Sequence, residues 1–171
     1  WMDVDVSPDG QTIAFTLLGD IYTMPITGGT PTRVAEGLAW EVQPRFSPDG
    51  RRIAFTSDRG GADNIWVMNT DGSDKRQVTK EDFRLLNQPT WSPDGRFIVA
   101  KKHFTTGRSL GTGELWIYHV SGGGGVQLTE RPNPQHQKEL GEPVFAPDGS
   151  AVYFTRNTTP GGTFIYAQDS N

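Results

Sequence analysis

Apolar residues recur along this chain at a spacing of two, in short runs. Ile13 and Phe15, Ile53 and Phe55, Ile98 and Ala100, and Val152 and Phe154 each form such a pair. Period two predicts a strand with one buried face. A lone apolar residue stands ahead of each run: Val6, Phe46, Trp91 and Phe145. A second strand pattern follows, at Ile21-Tyr22, Ile65-Trp66, Leu115-Trp116 and Ile165-Tyr166. A short last run carries Val34, Val78 and Leu128, with no counterpart before Asn171. Helical periodicity with caps is found nowhere. Residues 80–87 have room for one helical turn, and 131–140 is a polar excursion.

One four-residue word ties these runs together. Ser7-Pro8-Asp9-Gly10 returns as Ser47-Pro48-Asp49-Gly50, Ser92-Pro93-Asp94-Gly95 and Ala146-Pro147-Asp148-Gly149. Each copy lies between the lone apolar residue and the alternating run. Proline presets φ near about −65° for a tight turn. The aspartate bonds nearby backbone N–H groups, and glycine takes the left-handed position that restores strand register. These aspartates are therefore read as turn-makers rather than ligands. A second set of turns, at Thr27-Gly28-Gly29, Asp71-Gly72 and residues 122–125, closes the later hairpins.

Four strands in each full copy predict an all-β chain: a β-propeller of four-stranded antiparallel blades, with about four blades present and the ring incomplete. The copies fall at about 1–40, 41–84, 85–138 and 139–171 of a single propeller segment. The aromatic residues Phe15, Tyr22, Phe55, Trp66, Trp91, Trp116, Phe154 and Tyr166 recur at equivalent places, which predicts packing between blades. An arc exposes one apolar blade face at each end. If each face hides on the order of 500 Å² in a closed ring, about 25 cal/mol per Å² makes that roughly 12 kcal/mol gross. Net domain stability is only about 5–15 kcal/mol, so a homodimer joined through the open blade edges is expected.

The frame of strand, Ser-Pro-Asp-Gly, Ile-Ala-Phe-Thr, Ile-Trp-Val-Met and closing Asp-Gly turn resembles the TolB-like, WD40-like propeller repeat. Its cleanest copy spans 44–79. That resemblance covers nearly the whole chain and implies rings of six or seven blades. Its members include TolB translocation proteins, tricorn-type and prolyl-oligopeptidase-type peptidases, and large exported bacterial amidohydrolases with an N-terminal propeller. Gly19-Asp20-Ile21-Tyr22 and residues 37–44 look most like the amidohydrolase-linked propellers. The resemblance implies a periplasmic or secreted location.

Composition narrows the partners. The chain has 171 residues, with 16 basic and 20 acidic side chains and a net charge of −4. No basic patch stands out, so a nucleic-acid partner is not expected. No apolar run reaches membrane-spanning length. Cysteine is absent, which removes disulfides, thiolate metal sites and a cysteine nucleophile. The chain opens on Trp1-Met2 with a strand pattern already under way and no leader-like region. That start reads as a cut, so the segment is expected to come from a larger protein.

Several motifs imitate chemistry. Gly107-Arg108-Ser109-Leu110-Gly111 matches a nucleophile elbow in spelling, but a strand follows it where a helix is required. Asp3, Asp5, Ser7 and Asp9 resemble a calcium loop, yet Pro8 and Ala14 occupy the places that need Gly and Glu. His103, His119 and His136 have no zinc spacing; His119 reads as structural, and the other two as solvated loop residues. No metal and no cofactor is expected. Asn157-Thr158-Thr159 is only a formal glycosylation sequon.

In propellers, blade-to-blade connections and middle hairpin loops share one face. Here these are 36–43, 81–88 and 130–142, with 57–64, 103–113 and 156–163. Their lengths vary, and variable loops on a fixed scaffold are where recognition is built. The candidate binding residues are Trp40, Glu41, Arg59, Asn87, Gln88, His103, Arg108 and Glu142. No catalytic residue is assigned. The expected function is a non-catalytic scaffold that binds or gates a protein or peptide partner, a neighbouring catalytic domain or a substrate, as a fragment of a larger exported bacterial hydrolase, amidohydrolase- or peptidase-linked, or of a TolB-like translocation protein. The alternative is an enzyme acting on glycans or peptides at the loop face. Its acid–base groups would come from Glu41, Glu139, Glu142 and His136.

Overall fold

The computed structural model describes residues 3–104, 113–130 and 140–156. Fourteen strands fill them, and no helix occurs among the described residues. Blade 1 holds β1 (Val4–Val6), β2 (Thr12–Leu17), β3 (Asp20–Pro25) and β4 (Thr32–Ala35). Blade 2 holds β5 (Glu41–Phe46), β6 (Arg52–Ser57), β7 (Asn64–Asn69) and β8 (Arg76–Gln77). Blade 3 holds β9 (Leu86–Trp91), β10 (Phe97–His103), β11 (Gly113–His119) and β12 (Val126–Gln127). Blade 4 shows β13 (Leu140–Phe145) and β14 (Val152–Arg156). Within each blade the strands pair antiparallel in chain order. The first strands β1, β5, β9 and β13 touch in succession, and no contact closes the arc into a ring among the described residues.

The repeated word builds one hydrogen-bonded turn. Ser7, Ser47 and Ser92 donate from Oγ to the aspartate two residues on, at 2.6, 2.5 and 2.6 Å. The same aspartates accept from the backbone N–H of Gln11, Arg51 and Arg96. These bonds hold the carboxyls of Asp9, Asp49 and Asp94 below the usual range. In the fourth copy Ala146 has no hydroxyl, and Ser150 donates to Asp148 instead, at 2.7 Å. The glycines sit at φ of 71°, 69°, 68° and 74°.

The core lies between blades. Ala14, Ile21, Val34, Phe46, Ile53 and Phe55 fill the first junction. Ala54, Ile65, Leu86, Trp91, Ile98 and Tyr118 fill the second. Val99, Leu115 and Leu140 begin the third. Alternation predicted one buried face per strand. In β6 and β10 both faces are buried, because each strand is sandwiched between neighbouring blades. Residues 80–87 form no helical turn: Leu86 already pairs as a strand residue, its N–H donating to the Asp63 carbonyl at 2.9 Å.

Each of β5, β9 and β13 carries a bulge, with two residues opposite one on the next strand. The bulge residues are Gln43, Gln88 and Glu142, at φ of 57°, 55° and 53°, and a proline follows each. A side chain in this left-handed region costs about 1–2 kcal/mol. Tertiary bonds offset that cost. Gln43 Oε1 accepts from the Gln88 N–H at 2.8 Å and from Thr56 Oγ1 at 3.0 Å. Gln88 Oε1 in turn accepts from the Glu142 N–H at 3.0 Å. The side chain of each bulge thus satisfies the backbone of the next. Gln43→Gly, which relieves the backbone but removes this acceptor, is expected to lower stability by about 1–3 kcal/mol in urea unfolding; a gain would show that backbone strain outweighs the relay.

Candidate functional site

Blades 1 and 2 meet on the predicted loop face. The β2–β3 connection is a two-residue turn, Leu18-Gly19, with Leu18 at φ 55°. Trp40 lies directly over it; a Cβ on Gly19 would stand 2.9 Å from the indole. The Trp40 N–H donates to Asp58 Oδ1 at 2.7 Å, and the Glu41 N–H donates to the Gly19 carbonyl at 2.8 Å. The indole is therefore positioned from two loops and still 47% exposed. Leu38, two residues before Trp40, and Leu18, in the turn beside Gly19, are also open to solvent.

Directly after Trp40 the chain turns inward. Glu41, the first residue of β5, is completely buried. Arg59, from the β6–β7 loop, bonds Glu41 Oε1 through Nε at 3.0 Å and through Nη2 at 2.5 Å. The same guanidinium reaches the Glu36 carbonyl at 3.0 Å, tying two loops together. Glu41 Oε2 has no hydrogen-bond partner. Burial pushes the Glu41 carboxyl up, and the Arg59 bond and charge oppose that shift. Blades 3 and 4 place Leu86 and Leu140 where blade 2 has Glu41, so the charge is peculiar to this junction.

Trp40, Glu41 and Arg59 thus form one cluster. Glu41, Asn87, Gln88 and Glu142, read from sequence as connection residues, all lie within first strands instead. The strands start earlier because the bulge extends each one toward the loop face. Gln88 and Glu142 belong to the bulge relay, and Asn87 is half-buried with an unpartnered buried Oδ1. His103 is not a solvated loop residue: it ends β10, 2% exposed, with its N–H on the Leu85 carbonyl. Arg108, the 107–111 motif, His136, Glu139 and Asn157 lie outside the described residues. No group of three or more potential metal ligands forms among the described residues.

Sequence reasoning passed over Gln43 and Lys101. Gln43 was counted in a connection, yet it starts the relay. Lys101 is buried at the β10 place that Thr16, Thr56 and Thr155 occupy elsewhere. Aligning the four copies column by column would have exposed both.

A family model described as the TolB beta propeller domain matches residues 5–158. The chain belongs to the TolB β-propeller domain family. It is 42% identical over 160 residues to the protein Atu1656 of Agrobacterium fabrum, covering 88% of the chain and 53% of that protein. It is 29% identical over 200 residues to the peptidase YuxL of Bacillus subtilis, covering 92% of the chain and 29% of the peptidase. A solved structure described as TolB from Agrobacterium tumefaciens superposes with a TM-score of 0.71 at 27% identity, covering 90% of the chain and 57% of that structure. The chain therefore spans about half or less of the relatives it matches.

The buried carboxylate sets a prediction. A folded-state pKa above the ordinary value means that the folded form holds this proton more tightly. Stability then falls as pH rises from the usual carboxylate range through the raised pKa. Glu41→Leu copies blades 3 and 4. It is expected to remove that fall and to hold or raise stability at pH 7 by about 1–4 kcal/mol. Thermal melts at several pH values check it.

Proposed function

We propose that this chain is a non-catalytic propeller scaffold whose loop face binds or gates for a protein or peptide partner, within a larger exported bacterial hydrolase. The observation that carries this reading is the Trp40–Glu41–Arg59 cluster. It presents a positioned, half-open indole and seals the Glu41 carboxylate away from solvent. A carboxylate with no exposure cannot meet a substrate, whereas a fixed aromatic is a favourable anchor for a partner. Among the relatives reported, a peptidase supports a hydrolase as the neighbouring domain and favours a peptidase over an amidohydrolase. The export assignment, periplasmic or secreted, rests on the likeness to TolB. No helix among the described residues is long and apolar enough to cross a membrane.

A peptide library presented to the immobilised chain tests the loop face. Selected peptides are expected to lose at least about tenfold in affinity against Trp40→Ala and Arg59→Ala, roughly 1.4 kcal/mol each. Equal affinity for the variants, or turnover of esterase, peptidase or glycosidase substrates that Glu41→Gln abolishes, would overturn the scaffold reading.

Open edges are part of the same proposal. On blade 4, Tyr153 and Phe154 are 66% and 38% exposed, where their blade 2 counterparts Ala54 and Phe55 are wholly buried, and Val144 is 58% exposed beside them. Val4 and Val6 face solvent on blade 1. Light scattering is expected to show a dimer that dissociates on dilution, and Tyr153→Lys to leave a monomer. A wild-type mass that stays monomeric at every concentration would count against pairing through these edges.

A further inference from the structure

We propose that the loop face over blade 1 is a docking site for a cationic amphipathic peptide segment, and that Leu18 is a residue that sets its specificity. The proposal names the partner of the scaffold described above and rests on that reading.

Leu18 is unfavourable twice over where it stands. The β2–β3 turn has two central residues, Leu18 at φ 55° and Gly19 at φ 89°. A two-residue hairpin turn with both torsions positive favours asparagine or aspartate ahead of glycine, because their short polar side chains tolerate the left-handed region. Leucine gains nothing there by packing, since it is 91% exposed. Neither the turn nor the core accounts for a leucine at this place, whereas an outside partner does.

Three open apolar side chains come together around that turn. The Trp40 indole covers Gly19. Consecutive Cα atoms are about 3.8 Å apart, so Leu18 starts beside the same indole. Leu38 is two residues before Trp40, and their Cα atoms lie within about 7 Å of each other. Exposure of the anchor is not imposed by the fold. In the connection between blades 2 and 3, Leu85 stands at the place of Trp40 and is buried. A cluster of open apolar side chains around a half-open indole is an interaction surface, unlike a single stray leucine.

Charge decides the occupant. The segments 17–20, 32–41 and 57–63 carry five carboxylates, Asp20, Glu36, Glu41, Asp58 and Asp63. They carry two guanidiniums, Arg33 and Arg59, and Lys75 adds a third cation within Coulomb range of Glu41. Five against three leaves an acidic balance, and protonation of buried Glu41 still leaves four against three. Both guanidiniums are already engaged: Arg33 bonds Asp20 at 3.3 Å and Glu36 at 2.5 Å, and Arg59 bonds Glu41. An anionic lipid surface or an acidic peptide is repelled by this balance. Lysine or arginine beside apolar side chains matches both the charge and the exposed leucines.

The test is selection of a random peptide library on the immobilised full chain, with the selected peptides sequenced. They are expected to be enriched in leucine or phenylalanine together with lysine or arginine, and to bind more weakly as salt rises. Leu18→Asn gives the turn its favoured residue, so its melting temperature should equal or exceed that of the unmodified chain while the selected peptides bind about tenfold more weakly. Enrichment of acidic or wholly polar peptides, a lower melting temperature or unchanged affinity in Leu18→Asn, or co-sedimentation of the chain with phosphatidylglycerol vesicles would overturn the proposal. If affinity falls in Trp40→Ala but not in Leu18→Asn, the loop-face reading stands and this one fails; if no peptide is selected, both fail.

Discussion

The arrangement depends on a single recurrent contact, the side chain of one bulge bonding the backbone of the next. A bulge frees a backbone N–H from the strand ladder, and a buried free N–H is costly. The proline after each bulge has no N–H of its own, so only one donor needs a partner. Gln43 supplies it for Gln88, and Gln88 for Glu142. Further bonds join neighbouring blades: Phe46 N–H to Asp5 between blades 1 and 2, and Trp91 Nε1 to the Arg45 carbonyl and Arg76 to the Val120 carbonyl between blades 2 and 3. Blades are thereby held at fixed angles as well as pressed together by apolar burial. Hydrophobic packing alone is non-directional and would not set that angle.

The loop face inherits its order from this relay. β5 begins at Glu41 because its bulge lies two residues further on, and Trp40 is thus the last residue before the strand. The indole is carried on the rigid end of a strand rather than on a long loop. Glu41 enters a junction that elsewhere accepts leucine, and Arg59 follows it in from the neighbouring loop. Such a pair gains little net stability, since desolvation offsets its Coulomb energy. Its structural effect is to join the 36–40 connection to the β6–β7 loop through one guanidinium.

Much of the fold was legible in the sequence. The Ser-Pro-Asp-Gly word, the alternating runs and the second strand pattern each correspond to observed turns and strands over the described residues. The site was legible only in part. Trp40, Glu41 and Arg59 do come together, but Asn87, Gln88 and Glu142 are strand residues and His103 is buried. Bulges hide strand starts from a period-two reading, because the extra residue shifts the alternation by one.

What the sequence by itself determined is local. Proline, aspartate and glycine dictate a turn through the torsions and bonds of four consecutive residues, and alternation dictates a strand through its immediate neighbours. Tertiary structure decided which strands are buried on both faces, which carboxylate is sealed, and which exposed leucine lies beside the indole. Those outcomes rest on partners far along the chain: Gln88 meets Gln43 across 45 residues, and Glu142 meets Gln88 across 54. No local preference specifies contacts at that range. They appear only when one blade packs against the next and excludes water from the groups between them.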